Sequence, residues 1–137
     1  MSTGRMVLPE VGSALDPLIR TIPQETINRY ADASGDHNPL HVDPEFAATT
    51  QFGGPIAHGM LLLALLSAML TDVFGEAWVG SGRMKVRFRG AARPGDTVTC
   101  RGTVLASTSD GVRCTVECVN QNDDVLVSGE AEVKEEI

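Results

Sequence analysis

The stretch Met60-Leu-Leu-Leu-Ala-Leu-Leu-Ser-Ala-Met-Leu70 decides the fold, because it is apolar on every face of the helix that it predicts. It lies inside a segment, residues 56–70, that contains no Asp, Glu, Lys or Arg. The segment is shorter than the roughly 20 residues of a membrane-spanning helix, and Pro55 and Asp72 bound it closely. We therefore expect no membrane partner. We expect instead a helix over about residues 57–73, stopped by Gly75, that other parts of the chain wrap on most sides.

The second half of the chain predicts the sheet that wraps this helix. A period of two begins at Trp78, and in residues 82–89 Met84, Val86 and Phe88 alternate with basic residues, as in a half-buried antiparallel strand. Further strands are predicted at about residues 97–108, 112–118 and 125–134, with a hairpin turn at residues 109–111. We expect a four-stranded antiparallel meander, with residues 18–22 as a candidate fifth strand.

The predicted class is α+β, and a long buried central helix wrapped by a curled antiparallel sheet is the hotdog fold. A helix lying across an open sheet would give a similar pattern. Because such a sheet leaves an edge strand unpaired, we expect edge-to-edge association into a homodimer or a higher homo-oligomer.

Length and composition limit the function. The 137 residues fit one domain, residues 1–137, with residues 1–16 as a loose lead-in, and 42% hydrophobic and 21% charged residues exclude disorder as the main state. With 11 basic and 18 acidic residues the net charge is -7, so nucleic acid is not an expected partner.

The three cysteines indicate a reducing compartment. Cys114 and Cys118 lie four residues apart in a predicted strand, roughly 13 Å at ~3.3 Å per residue, which is too far for a disulfide. We interpret them as small buried hydrophobic residues. Since residues 1–9 do not have the pattern of a signal peptide, we expect a cytoplasmic protein.

The first half of the chain is helical. Pro23 opens a helix that Gly35 ends, residues 35–42 are predicted as a loop, and Asp43-Pro44 caps a short helix ending near Thr50.

The predicted loop carries the sequence Asp36-His37-Asn38-Pro39-Leu40-His41, which concentrates acid, base and amide groups. Asp36 can accept a proton, and the imidazole of His41 can give or take one near neutral pH. The alternative is that Asp36 and Asn38 build the turn through hydrogen bonds to the backbone. Asn38 could also orient a neighbour or a substrate, whereas His37 has the weaker functional case.

The sequence Ile56-Ala57-His58-Gly59-Met60 begins the buried helix. Free N–H groups at a helix start stabilise negative charge, and Gly59 lets a substrate approach the backbone, so this is a candidate oxyanion hole. Alternatively, Gly59 only permits close packing, and His58 is as compatible with a buried, hydrogen-bonded role as with a reactive one.

A basic stripe follows on an otherwise acidic chain. It could meet the phosphates of a nucleotide-tailed substrate, although a strand face with alternating charges is usually just solvated. Its members are Arg83, Lys85, Arg87, Arg89 and Arg93.

Other motifs are absent from the sequence. There is no phosphate-binding loop, dinucleotide motif or serine-hydrolase elbow. Asp36, His41, Asp43 and His58 do not have the spacing of a known ligand motif, so no metal is expected.

These motifs resemble those of one family, the MaoC-like (R)-specific enoyl-CoA hydratases and dehydratases. The resemblance covers about residues 20–134. It rests on Tyr30-x-x-x-Ser34-Gly35-Asp36-x-Asn38-Pro39-Leu40-His41, on Asp43-Pro44, on Ile56-Ala57-His58-Gly59-Met60, and on Val86-Arg-Phe-Arg with Pro94-Gly95-Asp96-Thr97.

The resemblance implies a dimeric hotdog protein that needs no cofactor and reversibly hydrates trans-2-enoyl thioesters of coenzyme A or acyl carrier protein to (R)-3-hydroxyacyl thioesters. Asp36 would activate water, His41 would deliver a proton to the α-carbon, and the Gly59 N–H would polarise the carbonyl. We assign substrate-binding roles to Asn38, His58, Met60, Arg87 and Arg89, with the acyl pocket along the buried helix. The alternatives are a hotdog thioesterase and a non-catalytic thioester-binding subunit of a heteromeric dehydratase.

Overall fold

A computed structural model describes residues 9–134 and confirms the hotdog fold, with five strands around a central helix. In chain order the elements are β1 (Leu18–Ile22), α1 (Gln24–Ser34), α2 (Pro39–Val42), α3 (Pro44–Ala48), α4 (Gly59–Phe74), α5 (Glu76–Ser81), β2 (Arg83–Phe88), β3 (Asp96–Thr108), β4 (Gly111–Val119) and β5 (Val125–Lys134).

The helix boundaries follow from identifiable residues. Pro23 precedes α1, and Gly35 ends it in the left-handed conformation at φ 78°, which glycine adopts at little cost. Asp43 caps α3 by accepting the backbone N–H groups of Glu45 and Phe46. These three predicted boundaries are confirmed.

Two short helices were not predicted. Residues 39–42, expected to be loop, form one helical turn with Pro39 in its first position. The strand pattern was expected to begin at Trp78, but residues 76–81 form α5 and the strands begin at Arg83. Buried Trp78 anchors α5 by donating its indole N–H to Ser67 on α4. In segments this short, tertiary contacts decide the conformation and periodicity does not.

The strand order is β1-β3-β4-β5-β2, so the prediction of a simple meander is wrong for β2. The strands β3, β4 and β5 pair consecutively, whereas β2 pairs antiparallel with β5, opposite the edge held by β1. The reason is the connection over residues 89–95, which passes the start of α4, where the Ala57 N–H donates to the carbonyl of Ala92. That crossing places β2 at the opposite edge of the sheet from β1.

Helix α4 supplies the core that the sheet encloses. Its buried residues form one hydrophobic cluster with the inward-facing residues of the sheet, and burial of each large apolar side chain contributes about 1.5–3 kcal/mol. The wrapping is incomplete in the single chain, because Met60, Ala64 and Ala68 form an exposed stripe along the helix. Among residues 9–134, no helix combines the length and apolar character needed to cross a bilayer.

All three cysteines are free and buried, as predicted, but one contact was not foreseen. Cys100 lies opposite Cys118 across β3 and β4, with 3.6 Å between the sulfur atoms. Hydrogen bonding from Cys118 lowers the pKa of the Cys100 thiol, and the same bond, with burial, raises that of Cys118. Burial raises the pKa of Cys114 to about 11.

The segment expected to be a loose lead-in is partly ordered against the sheet. Gly12 and Leu15 donate backbone hydrogen bonds to β3, and Ala14 forms an isolated bridge with Thr103. Residues 1–8 of that segment lie outside the described residues.

Candidate active site

The loop between α1 and α2 is held by its own polar side chains. The Asn38 N–H donates to Oδ1 of Asp36 at 3.2 Å, and the Leu40 N–H donates to Oδ1 of Asn38 at 3.0 Å. Ser34 accepts the Asp36 N–H through its hydroxyl. Asp36 and Asn38 therefore build the turn. The contact that the structure shows for the Asn38 side chain is this capping bond at the start of α2.

The second oxygen of Asp36 is directed toward His41. Oδ2 lies 4.0 Å from Nε2 of His41, and the side chains are 53% and 12% exposed, respectively. Nδ1 of His41 donates to the carbonyl of Ile56 at 2.8 Å, so the neutral ring carries its lone pair on Nε2. A water oxygen ~2.8 Å from each group fits across this separation. The pair can therefore hold one water between a carboxylate and an imidazole.

His58 lies beneath this pair and is 2% exposed. Its Nε2 donates to the backbone carbonyl of Asp36 at 3.0 Å, and its ring stacks on that of His41 with centroids 3.8 Å apart and planes 26° apart. The ring of Tyr30 in α1 also contacts the His58 ring, with a centroid distance of 4.9 Å. His58 therefore contacts both members of the Asp36–His41 pair without lying at the surface.

Gly59 is the first residue of α4 and follows His58 directly. Within residues 9–134, the backbone N–H groups of Gly59 and Met60 have no hydrogen-bond acceptor, so they are available to a ligand oxygen. A Cβ at position 59 would lie 2.8 Å from the ring of Phe88, which is itself 55% exposed. A side chain at position 59 would therefore displace the exposed Phe88 ring, and the packing seen here leaves an apolar ring beside the free N–H groups.

The remaining predicted site residues lie at different distances from this centre. Met60 is 59% exposed at the start of α4. Arg87 and Arg89 are not among the side chains around Asp36. They line a depression of about 840 Å³ on the outer face of the sheet, where Nε of Arg89 donates to Ser128. His37 turns away and bonds Asp32 of α1 at 2.9 Å.

Two residues around the centre were not among the predicted site residues. Tyr30 belongs to the quoted motif but was given no role of its own. Phe88 was predicted to face inward by alternation, but it ends β2 against Gly59. Neither contact could be found without knowing how α1 and β2 pack.

Asp36, His41 and His58 also offer potential metal-ligand atoms within 4.8 Å of one another. The two rings are stacked, however, so their in-plane lone pairs lie in nearly parallel planes and do not converge on one point. The arrangement suits proton transfer better than coordination, and the absence of a metal stays a prediction.

Comparison with known proteins gives a consistent picture. The family model described as MaoC like domain matches residues 8–128. The chain is 40% identical over 111 residues to the (R)-specific enoyl-CoA hydratase of Aeromonas caviae, covering 77% of this chain and 80% of that protein. The solved structure of the (R)-hydratase from A. caviae has a TM-score of 0.82 and 36% identity, covering 92% of this chain and 96% of that one.

A further relative is the 3-hydroxyacyl-thioester dehydratase Z of Mycobacterium tuberculosis. It is 39% identical over 89 residues, which are 62% of this chain and 59% of that protein. The chain thus matches little more than half the length of this relative.

Proposed function

The chain belongs to the MaoC like domain family, and on that premise we propose that it reversibly hydrates trans-2-enoyl thioesters to (R)-3-hydroxyacyl thioesters. The protein is then a hydro-lyase, an (R)-specific enoyl-CoA hydratase or 3-hydroxyacyl dehydratase. The observation that carries the proposal is the 4.0 Å separation between Oδ2 of Asp36 and Nε2 of His41. The segment that carries both residues is anchored by hydrogen bonds to His58 and Ile56, at the start of the central helix.

Hydration needs a base for water and an acid for the α-carbon. Asp36 accepts a proton from water while the water oxygen bonds to the β-carbon of the enoyl group. The π electrons move toward the thioester carbonyl, and protonated His41 gives its Nε2 proton to the α-carbon. Because Asp36 and His41 lie on the same side of the substrate, the addition is syn. Proton transfer from Asp36 to His41 restores the pair, and dehydration follows the reverse path.

The start of α4 stabilises the charge that develops on the thioester oxygen. The Gly59 N–H has no acceptor among the described residues, and the positive end of the helix dipole lies at the same point. A donor of this kind contributes about 3–4 kcal/mol to transition-state stabilisation in well-formed oxyanion holes.

The anchoring of His41 supports its role as the acid. Its Nδ1 hydrogen bond to the Ile56 carbonyl persists in both protonation states, so the ring keeps Nε2 directed at the reaction centre throughout the cycle. Ile56 is also joined to α2, the helix that carries His41, since its N–H donates to the Leu40 carbonyl.

The substrate carrier is coenzyme A or an acyl carrier protein. Arg87 and Arg89 are the residues proposed to meet carrier phosphates, because they flank Phe88 in sequence and Phe88 contacts Gly59. Asn38 and Met60 are proposed to lie beside the acyl end of the substrate, with His58 buried behind them. No cofactor takes part.

We also propose a homodimer. Strand β2 ends the sheet with one side unpaired, and the exposed stripe of α4 together with half-buried Met84 and Val86 gives an apolar surface beside that edge. A second copy would cover these groups. The cytoplasm is the proposed location.

The purified chain mixed with crotonyl-CoA tests the activity. We expect loss of the enoyl-thioester ultraviolet absorbance and, by chiral chromatography, the (R)-3-hydroxybutyryl product. Release of free thiol, detected with a chromogenic disulfide, would instead favour a thioesterase. Absence of turnover on crotonyl-, hexenoyl- and octenoyl-CoA and on the matching carrier-protein thioesters would contradict the proposal.

A further inference from the structure

We propose that His58 is a positioning residue that fixes the catalytic loop, residues 35–42, against the start of α4. It thereby holds Asp36, His41 and the Gly59 N–H at fixed distances from one another. The proposal rests on the function proposed above, because it assigns those three groups to the reaction. It assigns no proton transfer and no substrate contact to His58, and offers this role in place of the substrate-binding role that the sequence predicted.

The contacts of His58 reach both proton-transfer residues by different means. The Nε2–H donates to the Asp36 carbonyl at 3.0 Å, which fixes the backbone from which the carboxylate projects. The ring face supports the His41 ring at 3.8 Å. Since His58 immediately precedes Gly59, these contacts also set the distance from the oxyanion donor to the pair.

The position of His58 in the helix indicates a role other than stability. It is the N-cap residue of α4, where Ser, Thr, Asp or Asn would satisfy a free N–H and stabilise the helix by about 1 kcal/mol. The His58 side chain makes no such capping bond and turns toward the loop instead. The Met60 N–H, which a capping side chain could occupy, thereby stays free beside that of Gly59.

The tautomer of the neutral His58 ring follows from its hydrogen-bond partners. A carbonyl accepts, so Nε2 carries the hydrogen, and Nδ1 is a buried acceptor with no partner among the described residues. The neutral His58 ring therefore carries its hydrogen on Nε2, whereas the neutral His41 ring carries it on Nδ1. The two rings are opposite tautomers.

Two variants separate the hydrogen bond from the packing. His58→Phe keeps a flat ring against His41 and removes the donor, whereas His58→Gln keeps an N–H donor and removes the ring. Displacement of catalytic groups by ~1 Å costs about 100-fold in rate, so we expect His58→Phe to lower kcat by 10- to 100-fold with KM changed less than threefold. His58→Gln should recover part of that loss.

The matched control is His37→Gln, which alters a histidine in the same loop that bonds Asp32 on the exposed side. It should keep the activity of the parent chain. Circular dichroism and thermal unfolding of each variant report whether the fold is kept. The pH profile of the residual His58→Phe activity should keep both limbs, because His58 exchanges no proton.

Three results would overturn the proposal. They are a kcat for folded His58→Phe equal to that of the parent chain, a KM raised as much as kcat falls, and loss of one limb of the pH profile. If His58→Phe fails to fold, the comparison of His58→Gln with His37→Gln carries the same test.

A measurement that needs no turnover separates this proposal from the proposed function. Long-range ¹H–¹⁵N spectra of the histidine rings in the parent chain should show the Nε2–H tautomer for His58 and the Nδ1–H tautomer for neutral His41. The Nδ1–H tautomer at His58 would refute the positioning bond even in an active enzyme. The expected tautomers in a chain inactive on every thioester would leave the geometry standing and refute the activity alone.

Discussion

Replacing Asp36 by Asn separates the two roles of its carboxylate. Oδ1 accepts the Asn38 N–H and holds the turn, while Oδ2 is directed at His41. An Asn side chain keeps an oxygen acceptor at the Oδ1 position and places a non-basic amide nitrogen toward His41. The Asp36→Asn variant should therefore keep the loop and lose the base, whereas Asp36→Ala loses both.

The magnitudes follow from these contacts. A positioned general base contributes about 10²- to 10⁴-fold, so Asp36→Asn should raise the activation barrier by roughly 3–5 kcal/mol. Its thermal midpoint should stay close to that of the parent chain. In Asp36→Ala the turn bond is also lost, which costs about 0.5–1.5 kcal/mol and lowers the midpoint by roughly 2–5 °C.

The assay is the decrease of crotonyl-CoA absorbance at saturating substrate, with calorimetry on the same samples. His37→Gln serves as the control for a change in the loop that leaves the pair intact. An Asp36→Asn rate within threefold of the parent rate would refute the assignment of Asp36 as the base. A fall in the midpoint as large as that of Asp36→Ala would refute the separation of the two roles.

Three further predictions concern stability and assembly. Leu66→Ala, at a fully buried position of α4, should cost about 2–5 kcal/mol in urea unfolding, and a cost below about 1 kcal/mol would show that α4 is not the core. Because burial raises the pKa of Cys114 from 9.0 to about 11, the folded state retains a proton that the unfolded state releases, so stability should fall by about 2–3 kcal/mol between pH 9 and 11. Cys114→Ala should flatten that dependence in denaturant titrations at each pH, and an unchanged slope would contradict this account. Light scattering should give about twice the chain mass of 14.6 kDa, and a monomer at micromolar concentration would refute the dimer.

The elements that the sequence predicted well have long and regular patterns. Strand β5 begins and ends at the predicted residues, and α4 differs by one or two residues at each end. In both cases the pattern extends over ten or more residues, so that chance alternation is improbable. The helices α2 and α5 are four and six residues long, and they depend on contacts with distant parts of the chain.

Strand register shows why the cysteine contact could not be predicted. The turn pairs Thr108 with Gly111, and an uninterrupted ladder from that pair would place Cys100 opposite Val119. An irregularity between Val104 and Ala106 shifts the register by one residue and brings Cys100 opposite Cys118. No residue pattern in β3 indicates that shift.

The candidate site was predictable to the extent that it is local. Asp36 and His41 lie five residues apart, in the loop before α2 and in α2 itself, so their proximity follows from the motif. The direction of His37 depends on Asp32 in α1, and the contacts of His58 depend on how α4 meets the loop. Those relations arise from packing between elements that are distant in sequence.

The strand order has a consequence for folding kinetics. The strands β3, β4 and β5 are joined by short connections, so two hairpins can form with little loop-closure entropy. The edge strands β1 and β2 pair with partners that lie about 80 and 45 residues later in the chain, respectively. We expect the three-stranded hairpin unit to form early and both edges to join it late and slowly. The edge strand β2 would then spend the folding time unpaired, where contact with another unfolded copy leads to aggregation.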